Sequence, residues 1–323
     1  MRRTVGVTLT GLGAFLLVLA LMSYFFLPGQ IVKFPLNQYT VTRLVGTNVT
    51  YFSQASLSEV NGATVRTVAT TQGNVSGGTS STAIWTTQTG VFDITHGGNP
   101  GIPIEYPTET FAFNRRTGVL DNCCGAEVGT SRPHFAGQGY VWPIGTQKKN
   151  YQIFDTTLLK PEPAVYSGTT TIDGLNVYIF VEHVTNQQYG TVQVPGSLVG
   201  MSQSEVTLPE DLTATNTYYV DPGTGAPVKQ IQDQSETLVN TSTGTPALTL
   251  FSGTLTTTPQ TVQAAVNTAS TYDTEISIVQ SIGPLVAGLV AIVLLVLGVV
   301  LMVTGEGPDD YEYEDDEAVG AEA

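Results

Sequence analysis

Basic residues are scarce in this chain. Among its 323 residues there are 12 Lys and Arg against 27 Asp and Glu. A nucleic-acid binder needs clustered cations against phosphate, so that class is excluded. Charge of either sign is low, at 12% of residues, while mean hydropathy is slightly positive at +0.10. The three histidines, His96, His134 and His183, have neither metal-ligand spacing nor an H-E-x-x-H pattern. There is no G-x-S-x-G elbow and no glycine loop of the phosphate-cradling kind. The chain therefore reads as a non-enzyme, with no cofactor and no metal. Cysteine is limited to one adjacent pair, Cys123 and Cys124. A framework of several disulfides is excluded, and two ligands alone make no zinc site.

The hydrophobicity that is present sits in two places. Val5 to Leu27 and Ile282 to Val303 carry no charge. The first run reaches roughly 34 Å as a helix, against a hydrocarbon core of about 30 Å. It is longer than the apolar part of a usual signal peptide, and no A-x-A cleavage site follows it. Both runs read as transmembrane helices, the first as an uncleaved anchor. Arg2 and Arg3 precede the first run and the next base is Lys33. The positive-inside rule then puts both termini in the cytoplasm and the intervening segment outside a plasma membrane. Residues 1–4 form the cytoplasmic N-terminus, 5–27 the first span and 28–257 an extracytoplasmic β domain. Residues 258–281 form a juxtamembrane helix, 282–303 the second span and 304–323 a cytoplasmic tail. The tail carries nine acids from Glu306 onward and no base. Small residues recur at four-residue spacing in both spans: Gly6, Thr10 and Ala14 in the first, Gly283, Ala287 and Ala291 in the second. Such stripes let helices approach closely in lipid, so the two spans are expected to pair.

Between the spans the chain is rich in Thr, Val, Tyr and Gly, the composition of half-buried strands. Tyr39–Phe52, Ala63–Thr71, Ser81–Ile94, Ile104–Asn114, Gly168–Glu182 and Leu248–Leu255 alternate or carry β-formers. Asp173-Gly174 and Asp221-Pro222-Gly223-Thr224-Gly225 read as hairpin turns. Thr70 to Thr82 and Asn240 to Thr245 read as exposed loops. The expectation is a mainly β, membrane-anchored protein: a curved antiparallel sheet or partial barrel between two transmembrane helices. Thr258 as N-cap, Pro259 at the first helical position and Val262, Val266, Ala269, Tyr272 and Ile276 at helical spacing predict a helix leading into the second span. A kink is expected near Pro284. Leu27-Pro28-Gly29 predicts a loose joint after the first span.

Two polar features stand out. Adjacent Cα atoms lie about 3.8 Å apart, below the usual disulfide range of about 4.4–6.8 Å. Cys123 and Cys124 could close a tight, rigid turn on each other, remain free thiols or bond to another chain. The basic pairs Arg115-Arg116 and Lys148-Lys149 read as solvated turn residues or as contacts to anionic lipid headgroups. Phe135, Tyr140, Trp142, Tyr151 and Phe154 flank the second pair as core candidates.

Several stretches together resemble the actinobacterial porin PorA family of two-span envelope proteins. They are Arg2-Arg3 with the first span, Val32-Lys33-Phe34-Pro35, Asn114-Arg115-Arg116-Thr117-Gly118, Asn122-Cys123-Cys124-Gly125, Lys148-Lys149-x-Tyr151, Phe154-Asp155 and Tyr219-Val220-Asp221-Pro222-x-Thr224-Gly225. The resemblance implies a cell-envelope protein and carries no catalytic residues. The hairpin from Tyr219 is also similar to one in LolA-like lipoprotein carriers, and the two-span layout resembles class B scavenger receptors. Both imply lipid handling. The leading expectation is a β domain that binds or transfers a lipid or other hydrophobic ligand at the membrane, with membrane lipid as partner. The alternatives are an oligomeric porin or channel component, made of several copies of the chain, and a scaffold acting through the acidic tail.

Overall fold

The computed structural model describes residues 2–96 and 101–304. The acidic tail expected from Glu306 onward lies outside the described residues. Among the described residues the α-helices are α1 (Arg2–Phe25), α2 (Leu27–Ile31), α3 (Pro259–Ser277) and α4 (Gly283–Thr304). One compact unit runs from Val32 to Asp273, and a second is built from the two terminal segments.

The first unit is mainly β. Its strands are β1 (Tyr39–Ser53), β2 (Ser58–Gly73), β3 (Thr82–Asp93), β4 (Ile102–Glu105), β5 (Thr108–Asn114), β6 (Leu120–Asp121) and β7 (Glu127–Val128). β8 (Tyr151–Asp155), β9 (Lys160–Ile172), β10 (Leu175–Pro195), β11 (Glu205–Val220), β12 (Pro227–Asn240) and β13 (Thr245–Thr257) follow. They form one 13-stranded sheet in the order β6-β5-β3-β2-β1-β13-β12-β11-β10-β9-β8, with β4 on β3 and β7 on β5. All pairings in it are antiparallel. The sheet curls into a half-barrel. Phe111 on β5 and Phe154 on β8, from opposite ends of the order, have ring centroids 5.9 Å apart. Gln138 joins the two edges: it bridges to Val119 beside β6 and to Ile153 on β8.

Local chemistry accounts for the turns. Asp173 and Gly174 have φ of 48° and 87°, the left-handed pair that a two-residue hairpin needs and that Asp and Gly tolerate best. In the Asp221 turn, the Asp221 carboxylate accepts the Thr224 N–H at 2.8 Å and the Thr224 hydroxyl at 2.5 Å. Period-two alternation sets the faces. In β11, Leu212, Ala214, Asn216, Tyr218 and Val220 are buried on the inner face. Several strands differ in extent from expectation. β2 continues through Thr70–Gly73, and the loop starts only at Asn74, whose side-chain oxygen accepts the Gly77 N–H at 2.9 Å. β10 runs on past Glu182 to Pro195 across register shifts after Val184 and Gln188, which hide the alternation. β8 is a strand where only aromatic core residues were expected.

α3 begins at Pro259 as expected, and Thr258 Oγ1 accepts the Thr261 N–H at 3.4 Å. Val262, Val266 and Ala269 bury against Val177 and Val228. Tyr219 joins them, so this cluster lies on the outer face, opposite Tyr218.

In the helical unit, α1 and α4 are both long and apolar enough to cross a membrane. Their buried positions are Gly6, Gly13 and Ala20 on α1 and Pro284, Ala291 and Gly298 on α4. Each set repeats every seven residues, the spacing of a left-handed coiled seam. A Cβ on Gly6 would lie 2.7 Å from the Gly298 carbonyl oxygen, and one on Gly298 would lie 2.6 Å from the Thr10 nitrogen. Gly6, Thr10 and Ala291 therefore lie in this contact, whereas Ala14 and Gly283 are exposed and Ala287 is half-buried. Ile278–Ile282 is a π-helical turn, with the Gly283 N–H bonded to Ile278 O, five residues back. It sits where Pro284 removes a helical donor. The joint at Leu27-Pro28-Gly29 is a short helix, α2, because proline fits a first helical turn whose N–H groups have no partner.

Candidate functional site

The polar residues singled out in the sequence fall at different places. Cys123 and Cys124 are bonded to each other. Cys124 has φ of 61°, and both residues are exposed. Asn122 holds the start of this turn to the core: its Nδ2 donates to Phe135 O at 2.8 Å, and its Oδ1 accepts the Phe135 N–H at 2.7 Å. Arg115 is engaged within the fold. Its Nε donates to Phe34 O at 2.7 Å, and its backbone carbonyl accepts the Phe34 N–H at 2.7 Å. Partial burial lowers the pKa of its guanidinium. Arg116, Lys148 and Lys149 are exposed. Lys148 Nζ sits 5.5 Å from the Tyr178 ring centroid, and Lys149 Nζ 5.3 Å from that of Tyr151.

The inner face of the half-barrel has two parts. One is packed with aromatics. Trp85, Phe111, Phe113, Phe135 and Phe154 form a buried cluster with Phe34 and Leu120. Trp142, Tyr151, Phe180 and Tyr218 continue it. The aromatics flanking Lys148-Lys149 are thus core.

The other part carries acids. Strand alternation places Glu109, Glu182, Glu210 and Glu236 on the inner face: Glu109 pairs with Thr87, Glu182 with Asn216, Glu210 with Leu238 and Glu236 with Leu212. Burial pushes Glu109 up to about 7. Burial does the same for Glu182, also to about 7, with hydrogen bonds from Asn216 and Tyr218 opposing and the charges of Asp155 and Glu162 adding. Glu236 reaches about 7 through burial, against a hydrogen bond from Tyr189, with the charges of Glu105, Asp155 and Glu210 adding. Tyr189 Oη donates to Glu236 Oε2 at 3.1 Å, and Tyr218 Oη donates to Glu182 Oε2 at 3.1 Å. Glu105, on β4, and Glu236, on β12, come from well-separated parts of the sheet order, so the curl brings their charges together. Among the described ion pairs, only Lys160–Glu162, at 2.9 Å, brings a base into this set. A separate buried carboxylate, Asp93, is raised by burial. Hydrogen bonds from His96, the Thr95 N–H and Tyr51 outweigh that and hold it below its ordinary value.

The sequence reading passed over this acidic lining, although one signal was there. Glu182 shares parity with Phe180 and Val184, so alternation alone puts it on the apolar side of β10. Two shallow grooves are described, and both lie on the outer face. One, of about 370 Å³, is lined by Val41, Arg43 and the start of α3. The other, of about 360 Å³, is lined by Val68, Thr70, Phe92 and Tyr106. Neither is an apolar pocket of the inner face.

The family model described as Porin PorA matches residues 5–300, nearly the whole chain. Comparison with curated proteins finds no match.

Proposed function

The chain belongs to the porin PorA family, and on that premise we propose that it is a non-enzymatic pore or channel component of the cell envelope that favours cations. The observation behind this reading is the acid-lined inner face. An acyl chain laid there would meet Glu109, Glu210 and Glu236 where a lipid carrier needs an apolar wall, and carboxyl groups are costly to enclose in apolar surroundings. A hydrated cation meets the opposite situation once Glu109 and Glu236 ionise, at and above about pH 7, since surplus carboxylates raise its local concentration. This favours the pore over the lipid carrier, which the half-barrel shape alone would also suit.

The sheet itself is a poor candidate for insertion in lipid. Its outer face carries Thr86 and Thr110, paired through their hydroxyls at 2.9 Å, where a transmembrane barrel needs an apolar band. Two helices cannot enclose water either. Conduction therefore calls for several copies, with α1 and α4 as anchors and the β unit outside the cytoplasm, as Arg2 and Arg3 suggest. In this arrangement Arg116, Lys148 and Lys149 remain available to anionic headgroups.

The test is planar-bilayer recording with the purified full chain. The expected result is a cation-preferring conductance that weakens in Glu109→Gln/Glu236→Gln. A silent bilayer together with a strictly monomeric detergent particle would overturn the reading. Stoichiometric co-purified lipid without conductance would favour the carrier instead.

A further inference from the structure

One acid of the inner face is set apart by its hydrogen bonding. Glu182 is 1% exposed, and Asn216, directly opposite it in the β10–β11 register, is 9% exposed. Asn216 Nδ2 donates to Glu182 Oε2 at 2.8 Å, and Tyr218 Oη donates to the same oxygen at 3.1 Å. The remaining oxygens of both side chains, Glu182 Oε1 and Asn216 Oδ1, are buried and have no hydrogen-bond partner. Both are acceptors when the carboxyl is ionised. Two neighbouring buried acceptors left unpaired incur the full desolvation cost of each.

The surrounding charges offer no remedy. Asp155 comes from β8 and Glu162 from β9, and both act on Glu182 with the same sign. Lys160 is engaged by Glu162 at 2.9 Å. Glu109, from β5, adds a further negative charge near Tyr218. His183, the next residue on β10, points outward and bonds Thr215 Oγ1 at 3.1 Å. No cluster of three or more His, Cys, Asp or Glu suited to a metal occurs among the described residues.

We propose that Glu182 is a proton-binding site of the inner face, protonated on Oε1 in neutral solution and donating that proton to Oδ1 of Asn216. The edge of a carboxamide that faces a carboxyl group presents one N–H donor and one acceptor, so the carboxyl group matches it at both atoms only as an acid, with one acceptor and one donor. A single proton taken from solvent then satisfies both unpaired oxygens and removes a charge that has no base beside it. The burial-driven rise of Glu182 to about 7 runs in the same direction. The charge lining the half-barrel thus depends on pH near neutrality. The proton site requires no assumption about conduction.

The test is infrared difference spectroscopy of the full chain in detergent, titrated with base, beside Glu182→Gln. The wild type should show a protonated-carboxyl carbonyl band at neutral pH that is lost at alkaline pH. Glu182→Gln should lack that component. Because glutamine keeps one donor and one acceptor, this variant should fold as well as the wild type at neutral pH and resist unfolding better at alkaline pH. Absence of any protonated-carboxyl band in the neutral wild type would overturn the proposal without reference to a variant. So would a titrating band left unchanged by Glu182→Gln, or a neutral-pH loss of stability in that variant.

Discussion

The two parts of the half-barrel interior share one sheet, one alternation and one kind of strand, yet they are built on different terms. Around Trp85, Phe113 and Trp142 the inward positions are aromatic, with rings both edge-on and stacked: Trp85 and Phe113 lie 4.8 Å apart at 85°, Trp142 and Phe180 5.6 Å apart at 25°. Around Glu109, Glu182 and Glu236 the inward positions are carboxyl groups whose ionised forms are held poorly. The first part contributes stability through burial and packing. The second retains groups that a stability-driven core would replace with apolar side chains. The two kinds of lining occur along the same strands: β5 carries Phe111 and Phe113 in the aromatic part and Glu109 in the acidic part.

The sharpest way to break this contrast is to truncate an aromatic. Phe113→Ala removes a side chain that is 1% exposed and packed on Phe34, Trp85 and Tyr140. It should cost about 3–5 kcal/mol in denaturant titrations, with the pH dependence of stability unchanged.

The acidic part should supply that pH dependence. Glu109, Glu182 and Glu236 have folded-state values near 7, against 4.5 ordinarily. Between these two values the folded state keeps protons that the unfolded chain has released. Stability should therefore fall as pH rises from 4.5 to 7 and level off above that. Asp273, which faces Asp221 and is raised to about 6 by burial and by that neighbour, acts in the same direction over a lower window. Melting curves across this range check the sign, and Glu109→Gln should flatten part of the slope where Phe113→Ala does not. A stability that rises with pH would contradict the assignment.

A smaller effect is expected where a polar side chain pins a turn to the aromatic part. Asn122→Ala deletes two hydrogen bonds to Phe135 and should cost about 1–3 kcal/mol, measured by thermal unfolding with the Cys123–Cys124 bond intact. Smallest should be Arg132→Ala. The Arg132–Glu127 pair, at 3.1 Å, is largely exposed, so its loss should shift stability by less than about 1 kcal/mol.

Much of this architecture was legible in the residues. Alternation in Tyr39–Phe52 and the Asp173-Gly174 turn sufficed for β1 and the β9–β10 hairpin, because inward apolar positions and positive-φ turn residues are local signals. Thr258-Pro259 marked the start of α3 for the same reason. Other features depend on what curling brings together. Glu109 and Glu182 lie far apart in the chain, and nothing local says that both lie on the inner face of one curled sheet. The helix seam was read at a spacing of four, whereas packing selected Gly6, Gly13 and Ala20 at seven, because a period near 3.5 keeps one face toward the partner. The acids were also masked by their setting, since Thr, Gln and Glu on a Thr-rich strand look like a solvated face until the inward parity is assigned.

Gln138 has one further consequence. A curled sheet that stops short of closure presents two open edges, and each is a template on which another chain can add a strand. Here the Gln138 N–H bonds Gln152 O at 2.7 Å and its carbonyl accepts the Phe154 N–H at 2.8 Å, while Gly137 O accepts the Leu120 N–H at 2.9 Å. Two residues outside any strand thereby occupy backbone groups on both margins. They act as a clasp against uncontrolled strand exchange, and growth into aggregates by that route would have to begin with their release.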